Sequence, residues 1–152
     1  MSGSGDDRPV LVIISGYFSP LHAGHLDMIE AGDEMGDVLA VIVNNNAQQT
    51  LKKGKVIIDQ ADRLRVVQAL RAVDDALIAV DDDATVSASL EVLARRYPDH
   101  RLIFGNGGDR TSDAVVPESA VCETHNIEMI FDLGGATKHD SSSRINQELG
   151  YE

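Results

Sequence analysis

The sequence predicts an α/β domain: a five-stranded parallel sheet with helices packed on both faces. Three observations carry that expectation. The chain holds short, continuous, β-branched apolar runs; amphipathic helical stretches separate them; and the two alternate along most of its length. A sheet with one wet face would show apolar and polar residues in turn. These runs are apolar throughout, the pattern of strands covered on both sides.

Val10 to Ile14, bounded by Pro9 and Gly16, reads as the first strand. A helix over roughly 24–35 follows, with Leu26 and Ile29 on one face. Val38 to Val43 repeats the strand pattern and ends in Asn44, Asn45 and Asn46. A helix over roughly 60–72 carries Leu64, Val67 and Leu70, and Ala76 to Val80 reads as a third strand. Val86, Leu90, Leu93 and Ala94 make a helical stripe over 86–96 that stops before Pro98. Leu102 to Phe104 and Met129 to Phe131 complete the sheet. Between them Pro117 suits the first turn of a helix reaching about His125. Asp140 or Ser141 can cap a last helix bearing Ile145 and Leu149.

At 152 residues the chain has the size of one domain. Hydrophobic residues at 43% and charged ones at 25% exclude a disordered chain, and no apolar run nears the ~20 residues of a membrane-spanning helix. The formal net charge of −12 disfavours nucleic acid and anionic membranes as partners. A single cysteine, Cys122, excludes an intrachain disulfide and reads as a small core residue. Met1 to Arg8 lacks the pattern of a signal peptide. The expectation is a soluble, cytoplasmic protein with a flexible tail over 1–9 and one domain over 10–152. Asp outnumbers Glu and lysines number four, a balance fitting a salty cytoplasm or simply a solvated acidic surface.

In parallel α/β sheets ligands bind at the carboxyl ends of the strands. The unusual residues stand there. After the first run comes Gly16-Tyr17-Phe18-Ser19-Pro20-Leu21-His22-Ala23-Gly24-His25. Gly16 permits a tight turn and Gly24 a helix start close to a ligand. The helix N-terminus favours an anion, and His22 and His25 can donate to phosphate oxygens. A zinc pair would need a third ligand that the spacing does not supply.

After the second strand, Lys52, Lys53 and Lys55 gather three of the four lysines into what reads as a cationic loop for phosphate. Arg63, at the start of the next helix, reads either as a functional arginine or as an exposed partner of Asp59. After the fourth strand, Gly105-Asn106-Gly107-Gly108-Asp109-Arg110 opens the backbone beside one charge of each sign. Ser141, Ser142, Ser143 and Arg144 form a further anion site at the last helix start. Asp81, Asp82 and Asp83 read as a favourable helix start rather than a metal site.

The first loop resembles the G-x-F-D-x-x-H-x-G-H signature of the cytidylyltransferase-like nucleotidyltransferases, and the likeness runs from Val10 to about Ile145. That family includes glycerol-3-phosphate cytidylyltransferase, phosphopantetheine adenylyltransferase, archaeal FAD synthetase and the heptose-phosphate adenylyltransferases. Ser19 stands where many members carry an Asp that helps bind metal or acceptor. Thr137 to Ile145 resembles the family's second signature, with Lys138 and His139 in place of its usual arginine or glycine.

The resemblance implies a single Rossmann-like nucleotidyltransferase domain. It would transfer CMP or AMP from a nucleoside triphosphate to a phosphorylated small molecule, releasing pyrophosphate. His22, His25 and Lys55 would be catalytic. Gly16, Tyr17, Phe18, Gly24, Gly105, Asn106, Gly108, Asp109, Arg110, Ser141, Ser142, Ser143 and Arg144 would bind nucleotide, and Ser19, Lys52 and Arg63 the acceptor. Magnesium would come bound mainly through the triphosphate, with no protein metal site. Overall length leans towards CTP with a polyol or sugar phosphate. ATP with a cofactor precursor such as phosphopantetheine or FMN is the alternative, and a non-catalytic nucleotide sensor is the reading from another class. Related proteins are often dimers or larger, so a homo-oligomer is implied by resemblance alone.

Overall fold

The computed structural model describes residues 7–105 and 117–131. Along them run β1 (Val10–Gly16), α1 (Ala23–Met35), β2 (Val38–Val43), α2 (Asn46–Lys53), α3 (Gln60–Gln68), β3 (Asp75–Ile78), α4 (Ser87–Arg96), β4 (Arg101–Gly105), α5 (Ser119–Thr124) and β5 (Ile127–Ile130). The sheet has five strands in the order β3-β2-β1-β4-β5, and every pairing is parallel. The chain thus moves outward from β1 to β3, then returns across β1 to lay down β4 and β5.

Alternate residues of the central strands feed two separate cores. Leu11, Ile13, Ala40, Ile42 and Phe104 pack with Leu90 and Leu93 of α4 and Cys122 of α5. Val12, Ile14, Leu39, Val41 and Val43 pack on the other face with Ile29 of α1 and Val67 of α3. Because both faces are covered, Leu11 to Ile14 and Leu39 to Val43 have no exposed surface, which is why those runs are apolar without interruption.

Several boundaries differ from expectation, and one helix was not anticipated. The third helix ends at Gln68 rather than near 72, although Leu70 still packs on the core. β3 begins one residue earlier and ends at Ile78, and β5 starts at Ile127. The unanticipated element is α2. Its sequence, NAQQTLKK, has no apolar stripe, yet Asn45 and Gln48 form a reciprocal capping box at its start. Gly54 closes it in the left-handed region at φ 80°, where a residue with a Cβ would be strained. The last predicted helix, from Asp140 or Ser141, lies outside the described residues. Among the described residues no helix is long and apolar enough to cross a membrane.

Candidate active site

The order of winding reverses between β1 and β4, the point at whose carboxyl strand ends such sheets bind ligands, and the loop leaving β1 starts there. Phe18 in that loop is buried and holds φ 53°, turning its ring back beneath the strand end. The ring lies so close to Gly16 that a Cβ there would come 3.0 Å from its Cζ. Gly16 is therefore needed for close packing as much as for the turn. On its other side Phe18 tilts against His25, with ring centroids 4.9 Å apart.

His22 is the N-cap of α1, and with His25 it forms a capping box built from imidazoles. His22 Nδ1 accepts from the Gly24 N–H at 3.1 Å, and His25 Nδ1 accepts from the His22 N–H at 3.2 Å. A backbone N–H can only donate, so neither Nδ1 carries a proton. In the neutral ring the proton then sits on Nε2, which becomes a donor. The two rings stack with centroids 3.9 Å apart and planes inclined by 29°. This revises one element of the sequence argument. The Gly24 amide, offered there to an anion, is used by His22, and the His25 and Leu26 amides bond the His22 carbonyl. Those amides are therefore committed within the helix start, where His22 and His25 are the side chains that carry ring donors.

Arg63 departs furthest from expectation. It is not an exposed helix residue but 1% exposed, with its guanidinium among main-chain carbonyls. Nε donates to Ile58 O at 2.8 Å; Nη1 donates to Tyr17 O at 2.9 Å and to Asn44 O at 2.6 Å; Nη2 donates to Asn46 Oδ1 at 3.0 Å. Four of its five N–H groups are thus committed to protein. Burial lowers its pKa from the ordinary value, and the Asp59 carboxylate opposes that shift. The direct acceptor contact expected of Arg63 gives way to a clamp that ties the β1–α1 loop to the carboxyl end of β2.

The asparagines after β2 extend this clamp, and sequence reasoning gave them no role. Asn44 N–H donates to Gly16 O at 2.9 Å, joining the two strand ends. Asn45 Nδ2 donates to Ala79 O and Asp81 O, anchoring α2 to the end of β3. Asn46 exchanges hydrogen bonds with Gln60, Asp59 and Arg63. A run of three carboxamides directly after a buried strand was the available signal.

The lysines do not share one loop. Lys52 and Lys53 form the last turn of α2, and Lys55 follows Gly54 at an exposed position. Lys52 Nζ stands 4.6 Å above the Tyr17 ring, so the helix brings this lysine to the loop that carries the histidines. Ser19 is 2% exposed, and Gly105 is buried at the end of β4, one residue beyond the Ile13–Phe104 pairing with β1. Asn106, Gly108, Asp109, Arg110, Ser141, Ser142, Ser143 and Arg144 lie outside the described residues.

Two other features take the structural roles expected of them. Asp81 receives the Ala88 and Ser89 amides and the Ser89 hydroxyl, fastening the first turn of α4. Cys122 is buried in the core, where burial, aided by the nearby Glu118 charge, pushes its thiol up to about 11.

A family model, cytidylyltransferase-like, matches residues 13–147. The chain belongs to the cytidylyltransferase-like family. It is a nucleotidyltransferase. FAD synthase of Pyrococcus horikoshii is 36% identical over 110 residues, covering 72% of this chain and 70% of that protein. FAD synthase of Natrialba magadii is 34% identical over 127 residues, covering 84% of this chain and 79% of that protein. The fold also matches the crystal structure of a lipopolysaccharide core biosynthesis protein from Thermoplasma volcanium. There the TM-score is 0.60 at 23% identity, over 87% of this chain and 99% of the other.

Proposed function

We propose that the enzyme transfers AMP from ATP to the phosphate of FMN, releasing pyrophosphate and forming FAD. The observation that carries nucleotidyl transfer is the stacked pair of histidines, each fixed through Nδ1 so that Nε2–H serves as a donor. What favours ATP and FMN is the similarity to two FAD synthases over more than two-thirds of each. This replaces the lean towards CTP drawn from chain length.

The reaction is an in-line displacement. An oxygen of the acceptor phosphate attacks the α-phosphorus, the bond to the bridging oxygen breaks, and pyrophosphate carries the electron pair away. The attacking oxygen is already anionic, so no strong base is needed and catalysis rests on position and charge. His22 and His25 donate to the α-phosphate and bridging oxygens as charge builds there. Lys55 serves the triphosphate, Lys52 stands on the acceptor side, and Arg63 holds Tyr17 in place for both. Gly105 to Arg110 and Ser141 to Arg144 complete the nucleotide site.

Among the described residues no three His, Cys, Asp or Glu side chains converge. Magnesium would arrive on the triphosphate, its ligands drawn from phosphate oxygens and water. When bound it neutralises triphosphate charge. The pair of substrates is tested by measuring pyrophosphate release with ATP or CTP against FMN, phosphopantetheine and glycerol 3-phosphate. ATP with FMN should stand well above the rest. Turnover confined to CTP with glycerol 3-phosphate would overturn the assignment and keep the reaction class.

A further inference from the structure

Two adjacent glutamines on α2 are both buried, Gln48 at 0% and Gln49 at 2% exposure, and they differ in one respect. Gln48 is saturated. Its Oε1 accepts from Asn44 Nδ2 and the Asn45 N–H, and its Nε2 donates to Asp83 O at 2.9 Å and Thr85 O at 2.7 Å. Gln49 Oε1 is buried and has no hydrogen-bond partner. Buried polar atoms are nearly always bonded, and an unmet acceptor destabilises a fold relative to an apolar side chain of the same shape. Packing alone would be better served by methionine at this position.

The place of Gln49 on its helix indicates what the oxygen is for. It lies three residues after Asn46 and three before Lys52, so the three side chains are neighbours on one strip of α2. Both flanking residues are tied to Tyr17. Lys52 lies over its ring, and Asn46 receives Arg63, which also holds the Tyr17 carbonyl. Gln49 thus shares a strip of α2 with the two residues that link this helix to Tyr17. α2 follows β2, which flanks β1 on the side away from β4 and the chain reversal where a nucleotide would sit. In-line displacement requires the acceptor to enter opposite the departing pyrophosphate.

We propose that Gln49 is a specificity residue for the acceptor, its Oε1 accepting a hydrogen bond from an N–H or O–H of that molecule. The inference rests on the nucleotidyl-transfer reading above and names one contact within it. A site that hydrogen-bonds its substrate rejects an analogue lacking the donor, because its own buried group is then left unmet.

The test compares wild type, Gln49→Met and Gln48→Met by thermal melting and by steady-state kinetics with ATP, magnesium and FMN. Gln49→Met should melt no lower than wild type while its FMN KM rises about tenfold or more and its ATP KM stays within about twofold. Gln48→Met should melt lower, since it orphans several buried groups. Gln49→Asn, which draws the oxygen back, should also raise the FMN KM. An FMN KM within about twofold of wild type in Gln49→Met, or equal rises in both KM values, would overturn the proposal. Wild type silent with every pair of substrates above would instead sink the nucleotidyl-transfer reading. Equilibrium titration of FMN then decides the contact separately, an unchanged Kd in Gln49→Met refuting it.

Discussion

Replacing Arg63 by methionine removes the clamp while filling much of its volume. Four hydrogen bonds are lost, to Ile58 O, Tyr17 O, Asn44 O and Asn46 Oδ1. They are not equivalent. Ile58 and Tyr17 are partly exposed, so water can replace the guanidinium there, and Asn46 Oδ1 keeps the Gln60 amide at 2.9 Å. Asn44 is 5% exposed, and its carbonyl loses a 2.6 Å bond in a place water reaches poorly. One fully orphaned carbonyl and three partly compensated ones amount to about 2–4 kcal/mol, part of it offset by no longer burying a cation. For a domain of this size that lowers Tm by about 5–15 °C. The Tyr17 carbonyl is released at the same time, so kcat/KM should fall about tenfold or more even well below the new Tm. Arg63→Lys should recover little, because one ammonium cannot span four acceptors. Differential scanning calorimetry together with initial rates at 20–25 °C decides the matter. If Arg63→Lys keeps both Tm and kcat/KM within error of wild type, the fork geometry is irrelevant and the clamp argument is wrong.

His22 combines two tasks that one substitution can separate. Asparagine is a good N-cap, so His22→Asn should hold stability within about 0.5 kcal/mol while turnover falls about a hundredfold for want of the Nε2 donor. A Tm drop matching that of His22→Ala would show that the imidazole cap is special. Gly16→Ala places a Cβ 3.0–3.3 Å from three Phe18 ring atoms, so the ring and the His25 it touches must move. A loss of about 1–2 kcal/mol with a lowered kcat is expected, read from urea melts and initial rates. Cys122 has a thiol pKa raised from 9.0 to about 11, so at pH 8 it holds about a hundredfold less thiolate than an ordinary cysteine. The native protein should resist thiol reagents at neutral pH and react fully in denaturant. Because the folded pKa is the higher one, this stabilisation is complete below pH 9 and is lost as pH rises towards 11.

Where the sequence was legible, burial had left a mark on composition. β2 coincides with the apolar run Val38 to Val43, because a strand covered on both faces needs every residue apolar. His22 and His25 stood out because a strand, two glycines and a helix framed them. α2 escaped notice for the opposite reason. Its buried face is two glutamines, so no hydrophobic period exists, and its capping box and terminal glycine were the only cues. Arg63 was misjudged because three of its four acceptors are main-chain carbonyls from residues 5 to 46 positions away, and backbone leaves no trace in composition. Lys52 was read with its neighbours as a loop. A helix spreads adjacent residues around its axis, which is why Lys52 reaches Tyr17 from the last turn of α2.

In the proposed reaction the two imidazoles stabilise charge during nucleotidyl transfer and do more than hold a nucleotide. The most direct measurement follows one turnover of wild type and His25→Ala with ATP, magnesium and FMN, quantifying pyrophosphate and FAD together. Wild type should form the two in equal amounts. His25→Ala should still bind ATP with a Kd within a fewfold of wild type, yet form both products about a hundredfold or more slowly. A variant that turns over at the wild-type rate, or that loses only ATP affinity, would contradict the account.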